Sequence, residues 1–580
     1  MMGDSEVIAN FVPRTQVFQN HLILLSFLAF LIILPYSITV CINPYHPETD
    51  ETWQLQAAYR IANGEGYTCS WNPPQDLSVP HYDYLTNWPP GYPLIIAGIM
   101  KAGISLEWAA KVIKICLLFF GFLFWTIISD KFLETLWTKS IFVACISVTA
   151  IFYAFSSTDI FLWAIFPLFI TLIILRKENT SRSIISSALE YMVIVLAGIL
   201  CSLLFLVKYL GVVFLPIGLA LIWLSFSNKK DLKNLFLKSL LFILLPILTI
   251  IGVYLINTES AGQLSSLVTG KETLSSLHFS PQWLLAFVRA FFLISPFNIL
   301  LNIVMTKMGL VSSHIMMIIF GLSLVFCVAF TYIIYKAWKI SESKRLIIKG
   351  FLLSIFFLFC ILFVATSRLN ITFTSILDSD FDLTPIGHSR YYIWVFPLLM
   401  ISALLYFDKL SRDGKVKVRL MNGLAIALNL FALISITGFS IHKGNQLKQY
   451  QEKKKMALFA LNDLIGSDRN VPIVIFGHNP YINFFLWEDY IPTYRDIEIL
   501  LSDHPRYFSQ PTFIFIFKDK LNDLDRAQES GERLIQKVIN LYRMKSRETN
   551  SFVLYWRKFD KGTLADQKNG RSDGIMNDLR

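Results

Sequence analysis

Charge is scarce in this chain. Asp, Glu, Lys and Arg make up 16% of its 580 residues, where soluble domains carry about 25%, so there is too little polar surface to clothe several domains in water. Cysteine supplies no scaffold either. The seven, Cys41, Cys69, Cys116, Cys145, Cys201, Cys327 and Cys360, include no close-spaced pair, and none lies beyond Cys360. That spacing excludes a disulfide framework and a thiolate metal cluster as organising devices. The chain also has no convincing internal repeat, and its tail has no recognisable phosphate loop. Before its first apolar run there is neither a strong basic start nor a small-residue cleavage site, so that run is expected to stay as a membrane helix.

What is abundant is apolar length. Hydrophobic residues make up 54% of the chain and the mean hydropathy is +0.53. Runs of about 20 residues recur, each able to cross a hydrocarbon core about 30 Å thick as a helix that satisfies its own backbone hydrogen bonds. Candidate spans are 22–41, 108–129, 141–157, 160–175, 189–209, 211–227, 237–257, 311–335, 347–367, 391–407 and 420–440, about eleven in all.

If the first span runs outward, the basic loops around Lys131 and Lys139, Arg176 to Arg182, Lys229 to Lys233, Lys336 to Arg345 and Lys409 to Arg419 all fall inside, as the positive-inside rule requires. Topology thus accounts for the net charge of +11 without invoking nucleic acid. Segment 283–306 is expected to lie on the outer surface, because a further span there would invert every later loop. Parity then places loops 42–107, 258–310 and 368–390, and the tail after Thr437, on the outer side.

The expected fold is an α-helical polytopic membrane protein, with a transmembrane domain over 1–440 and a small outer α/β domain over 441–580. The latter rests on strand-like runs Val471 to Phe476, Thr512 to Phe517 and Phe552 to Trp556 between helical patterns near 451–465 and 524–542. Bacterial inner membrane is preferred over endoplasmic reticulum, since no retention signal is present.

Just beyond the first span the chain reads His46-Pro47-Glu48-Thr49-Asp50-Glu51-Thr52-Trp53. Carboxylates at a membrane exit are costly to desolvate, so they either face water or serve a buried polar task such as proton abstraction. Asn63-Gly64 predicts the stop of a short helix. Asn87-Trp88-Pro89-Pro90-Gly91-Tyr92-Pro93 predicts a stiff turn back to the membrane. At the start of that helix the acids meet the positive end of its dipole, where they either cap it or stay ionised as a base.

With Asp50-Glu51, Tyr59 and the Pro-Pro turn in this order, the chain resembles the lipid-phosphate-sugar-dependent membrane glycosyltransferases of the GT-C fold, in the branch of the protein O-mannosyltransferases and aminoarabinose transferases. The resemblance covers about residues 20–230, and 380–400 more weakly. It implies a general base at Asp50 with Glu51 beside it, and a second acid at Asp159 in Phe155-Ser156-Ser157-Thr158-Asp159, where an ordinary helix cap is the competing reading.

The resemblance further implies donor-phosphate contacts from Lys208, which as plausibly snorkels to the interface, and from Arg390 in Gly387-His388-Ser389-Arg390-Tyr391-Tyr392, whose guanidinium suits phosphate. Tyr59, His81, Tyr82, His388 and Tyr391 are weaker substrate-binding candidates. The chain departs from some family members in carrying Asn87-Trp88 where they have an acidic and a basic residue before Pro-Pro. Asp378-Ser379-Asp380-Phe381-Asp382 lacks the Gly and final Glu of a calcium loop and reads as a solvated acidic loop.

The expected activity is inverting transfer of a sugar from a polyprenyl-phosphate carrier to a lipid, glycan or protein acceptor on the outer face. A divalent metal ion is compatible with the acids but not required. The rival is a transporter or flippase of lipid-linked sugars, which favours inverted repeats and charges at mid-span, whereas here the distinctive charges gather at one face.

Overall fold

The computed structural model describes residues 14–564, apart from 46, 48, 71–72, 154–155, 175–183, 226–231, 263–286, 290–291, 293–311, 340–343, 367–388, 466–470, 478–492, 495–499, 501–505, 520–534 and 550–551. The described helices are α1 (Arg14–Ile42), α2 (Thr49–Ala62), α3 (Gly91–Lys101), α4 (Leu106–Phe132), α5 (Leu136–Tyr153), α6 (Ser157–Ile174), α7 (Ile184–Val207), α8 (Phe214–Ser225), α9 (Leu232–Ala261), α10 (Ser312–Trp338), α11 (Arg345–Thr366), α12 (Phe396–Arg412) and α13 (Val418–Ile465), with 3₁₀ turns at Tyr209–Val213 and Ser389–Tyr392.

Each expected span overlaps one of these helices, with 211–227 and 391–407 beginning in the 3₁₀ turns, and seven of the described helices, against about eleven expected, are long and apolar enough to cross a membrane. The chain is an α-helical, multi-pass membrane protein with a small C-terminal sheet. Of segment 283–306, only 287–289 and 292 are described. They are helical, with Phe287, Arg289 and Phe292 buried.

The chain divides into two compact units, one of residues 1–42, 87–91 and 110–443, the other of residues 43–86, 92–109 and 444–580. In the first, apolar helices pack through aromatic side chains. Trp125 of α4 donates its indole N–H to the Trp163 carbonyl of α6 at 3.0 Å, and Trp394 sits against Phe166 of α6 and Phe214 of α8, with centroids 4.8 and 4.7 Å away.

At one end of this unit Asp408 of α12, fully buried, accepts from the backbone N–H groups of Glu134 and Thr135 at 2.5 and 3.0 Å and so caps the start of α5. Glu134 pairs with Lys344 and with Arg412 at 3.0 Å. These contacts gather the loops at 134, 344 and 412 at one end, the grouping that the basic-loop argument calls for.

The second unit holds α2, a small hairpin of β1 (Thr68–Cys69) and β2 (Asp83–Tyr84), and a mixed sheet built from β3 (Ile473–Gly477), β4 (Thr493–Tyr494), β6 (Thr512–Asp519), β7 (Lys545–Glu548) and β8 (Phe552–Phe559) in the order β4-β3-β6-β8-β7. β3 runs parallel to β4 and β6, while β8 is antiparallel to β6 and β7. A separate pair joins β5 (Tyr507–Phe508) to β9 (Gly562–Thr563).

Alternation along β6 sends Ile514 and Ile516 to one face and Phe513 and Phe515 to the other. The first face packs on helical residues 535–542, the second on Ala457, Ala460 and Leu461 of α13. The expected α/β character is therefore present, in three layers. One side chain in the first of these cores, Leu77, comes from the opposite end of the sequence.

Candidate functional site

The candidate residues fall into two groups, one within each unit. In the second unit α2 begins at the acidic cluster, with Asp50 and Glu51 in its first turn. Its C-terminus forms as the Asn63-Gly64 stop predicts. Gly64 takes φ +81°, and Glu65 N–H donates to the Arg60 carbonyl at 2.8 Å.

Successive residues on a helix point about 100° apart, so the two acids have different surroundings. Asp50 is half-buried. Glu51 is fully buried, and its Oε1 accepts hydrogen bonds from the Tyr45 hydroxyl at 2.7 Å and the Tyr92 hydroxyl at 2.6 Å. Its Oε2 is buried without a donor. Tyr45 is itself anchored, since its backbone N–H donates to Glu107 Oε1 at 3.0 Å. Glu51 therefore ties the start of α2 to the residue after the Pro-Pro-Gly turn and to the chain leaving the first span.

Around α2 the loop is braced by polar contacts. Gln56 Oε1 accepts from Ser70 N–H at 2.9 Å, and Arg60 Nε donates to Thr68 Oγ1 at 2.7 Å. Arg60 also pairs with Glu65 at 2.7 Å and lies 3.5 Å over the Tyr82 ring. Tyr82 thus meets a cation, His81 pairs with Asp83 at 2.7 Å, and Tyr59 is half-buried on α2.

In the first unit Asp159 stands at the third position of α6 after Ser156, and the two form a capping box. Ser156 Oγ and N–H donate to Asp159 Oδ2 at 2.9 and 3.3 Å, and Asp159 N–H reaches Ser156 Oγ at 3.4 Å. The capping reading is correct for one oxygen. The other, Oδ1, forms an ion pair with Lys208.

Asp159 is 2% exposed and Lys208 is 8% exposed, so this is a buried pair rather than a lysine reaching for headgroups. Lys208 lies between α7 and the following 3₁₀ turn. Leu206, two residues before it, is pressed by the Pro-Pro turn, since a Cβ at Gly91 would lie 2.6 Å from the Leu206 carbonyl oxygen.

Arg390 is carried to the same corner by its neighbours. Tyr392 and Trp394 are fully buried, and Trp394 is held between α6 and α8. Arg390 acts electrostatically on Asp159, and its Nη2 donates to the Tyr391 hydroxyl at 3.1 Å. The Tyr391 ring lies 4.9 Å from Lys208 Nζ. Lys208 and Arg390 thus both act on the Asp159 carboxylate beside the Tyr391 ring, which brings two cations and an aromatic face together. His388, Glu48 and the 378–382 acidic run lie outside the described residues.

Among the described residues no three His, Cys, Asp or Glu side chains are placed to hold a metal ion. Sequence reasoning singled out neither Tyr45 nor Tyr92 as a partner of Glu51. It also passed over Lys111 and Lys114, both buried on one face of α4, the first donating to the Cys41 carbonyl at 3.4 Å. Charges inside an apolar run were a readable signal for those lysines.

No protein-family model and no curated protein matches this chain. Among solved structures it is similar to ArnT from Cupriavidus metallidurans in the apo state, with 11% identity, TM-score 0.48, and coverage of 93% of this chain and 98% of that one. The same protein bound to undecaprenyl phosphate gives 11% identity and TM-score 0.44 over 93% and 97% of the two chains. The Archaeoglobus fulgidus oligosaccharyltransferase, in complex with zinc and sulfate, gives 12% identity and TM-score 0.40 over 82% of this chain and 62% of that one.

Proposed function

We propose that this protein is a GT-C-type membrane glycosyltransferase that moves a sugar from a polyprenyl-phosphate carrier to a hydroxyl acceptor on the extracytoplasmic face. The observation that carries the reading is the corner where Lys208 pairs with the buried Asp159 and Arg390 acts on the same carboxylate, beside the Tyr391 ring. Two cations gathered on one carboxylate beside aromatic rings suit a lipid phosphate. The order of acid, Pro-Pro turn, lysine and late arginine along the sequence supports the same family.

In this mechanism Asp50, the more accessible acid, takes the proton of the acceptor hydroxyl as its oxygen attacks the anomeric carbon. The bond from that carbon to the phosphate oxygen breaks on the opposite side, giving inversion. Lys208 and Arg390 stabilise the charge that develops on the departing polyprenyl phosphate. Proton abstraction by a placed carboxylate contributes about 10²–10⁴-fold. Glu51, locked by two tyrosines, holds the start of α2 in place.

Transfer from a polyprenyl-phosphate sugar, followed in nanodiscs with acceptor lipids or peptides, tests this. Asp50→Asn is expected to lower turnover by at least about 10²-fold with membrane insertion unchanged. Undiminished turnover would remove Asp50 from the mechanism. Movement of lipid-linked sugar between leaflets without any transfer product would favour a flippase.

A further inference from the structure

The C-terminal α/β domain is completed by a piece of the first outer loop, and we propose that its task is to brace that loop, with Asp76, Leu77 and Arg506 as positioning residues for the carboxylates of α2. The joint is made in three ways. Residues 75–77 add to the edge of β5, where Tyr507 N–H donates to the Gln75 carbonyl and Leu77 N–H to the Tyr507 carbonyl, each at 3.1 Å. Leu77 is 1% exposed and lies in the domain's own core with Phe508, Ile514 and Leu564. The Arg506 guanidinium donates to the carbonyl of Pro73, at 2.9 Å, and to that of Pro74.

Asp76 locks the seam from the loop side. Its Oδ1 accepts from Ser78 N–H at 3.0 Å, from the Ser78 hydroxyl and from Ser509 N–H at 3.2 Å, while the hydroxyls of Ser78 and Ser509 are 2.8 Å apart. A solvent-facing accessory domain has no need to borrow a core leucine and an edge strand. From this seam the contacts lead back to the site, because β1 is fastened to α2 through Ser70 with Gln56 and Thr68 with Arg60, and β2 pairs with β1. The stance of α2, and so of Asp50 and Glu51, depends on a domain more than 400 residues away in sequence. The catalytic part of this inference rests on the function proposed above; the brace itself does not.

The test uses the full-length protein in nanodiscs carrying Arg506→Ala with Asp76→Asn, and reads hydrogen exchange in residues 49–62 and 67–70 beside sugar transfer. The expected result is exchange in both segments raised by about ten-fold or more, the size of effect that losing hydrogen bonds to charged groups gives. kcat should fall by a similar factor, with KM for the polyprenyl-phosphate sugar little changed.

Because the two hydroxyls are 2.8 Å apart, Ser78→Cys with Ser509→Cys sets two thiols against each other across the seam. Oxidation of that pair in the weakened background is expected to restore both readings, which loss of general stability would not explain. Exchange in α2 left unchanged would overturn the brace. Exchange raised with kcat unaffected, or cross-linking that restores exchange but not kcat, would overturn the positioning role. If the wild type transfers no sugar from any donor, the glycosyltransferase reading fails and the exchange measurement alone decides the brace.

Discussion

The Asp159–Lys208 pair gives two competing accounts of Lys208, and single substitutions separate them by sign. In the first account the pair is only a structural tie; in the second, Lys208 shares its charge between Asp159 and a lipid phosphate. Both residues are nearly inaccessible, so removing one partner costs about 3–5 kcal/mol in stability. The low end applies here, because Arg390 still acts on Asp159 and Ser156 still donates to Oδ2.

For binding, a phosphate held roughly 6 Å from Nζ interacts with it by about 3 kcal/mol at an effective dielectric of about 20, or about 100-fold in affinity. Lys208→Met should therefore weaken binding of a polyprenyl phosphate by up to about 100-fold. Asp159→Asn, which frees Lys208 while its amide oxygen keeps the cap on Ser156, should strengthen binding despite lowering the unfolding midpoint. The assay is calorimetric titration of polyprenyl phosphate into nanodisc-held protein at two salt concentrations, beside thermal unfolding. If Asp159→Asn weakens binding as much as Lys208→Met does, the phosphate assignment is refuted and the pair is structural.

Tyr92→Phe removes one donor from a buried carboxylate and should cost about 1.5–3 kcal/mol, read by thermal unfolding; a change below about 0.5 kcal/mol would mean that Glu51 does not fasten the loop. Gly91→Ala sets a methyl group against the Leu206 backbone and should cost about 1–3 kcal/mol, whereas Gly98→Ala, inside α3 with open space around it, should stabilise by about 0.5–1 kcal/mol in the same measurement. Burial alone would raise the pKa of Asp76, but hydrogen bonds from Ser509 and Ser78 hold its carboxyl below the ordinary range. A depressed group lends stability that is complete above its unfolded value of about 3.9 and is lost as pH falls through the lower folded value. Exchange protection of residues 73–79, corrected for intrinsic rates, should accordingly be flat above about pH 5 and decline below about pH 4, and Asp76→Asn should flatten the profile.

The membrane helices were legible because one quantity, apolar length, decides them. Asp159 was legible as a cap, because the Ser-Ser-Thr-Asp run is local. Its ion pair with Lys208 was not, since 49 residues and two helices separate the partners and only the family resemblance pointed to both. Glu51 shows the same limit. It stands beside Asp50 in sequence, yet Tyr45, Tyr92 and the turn of α2 bury it and leave Asp50 the more open acid. Asp408 in the sequence is one more charge beside the basic loop after α12, and only the approach of α5 makes it a cap. Leu77 lies in a stretch rich in proline and polar residues, with the exposed Val79 near it, and shows no periodicity that would mark it as core.

The joint between Leu77 and the C-terminal domain also sets an order of events during synthesis. Ser78 and Ser509 are 431 residues apart, so at about 5–20 residues per second the segment around Leu77 is made roughly 20–90 s before its partner strand. Throughout that interval Leu77 and the backbone of 75–77 lack the strand and the core that they join in the folded domain. Chains that stop short of β5 and β9 leave Leu77 without the core that it completes, so the loop and the domain can reach their folded state only together.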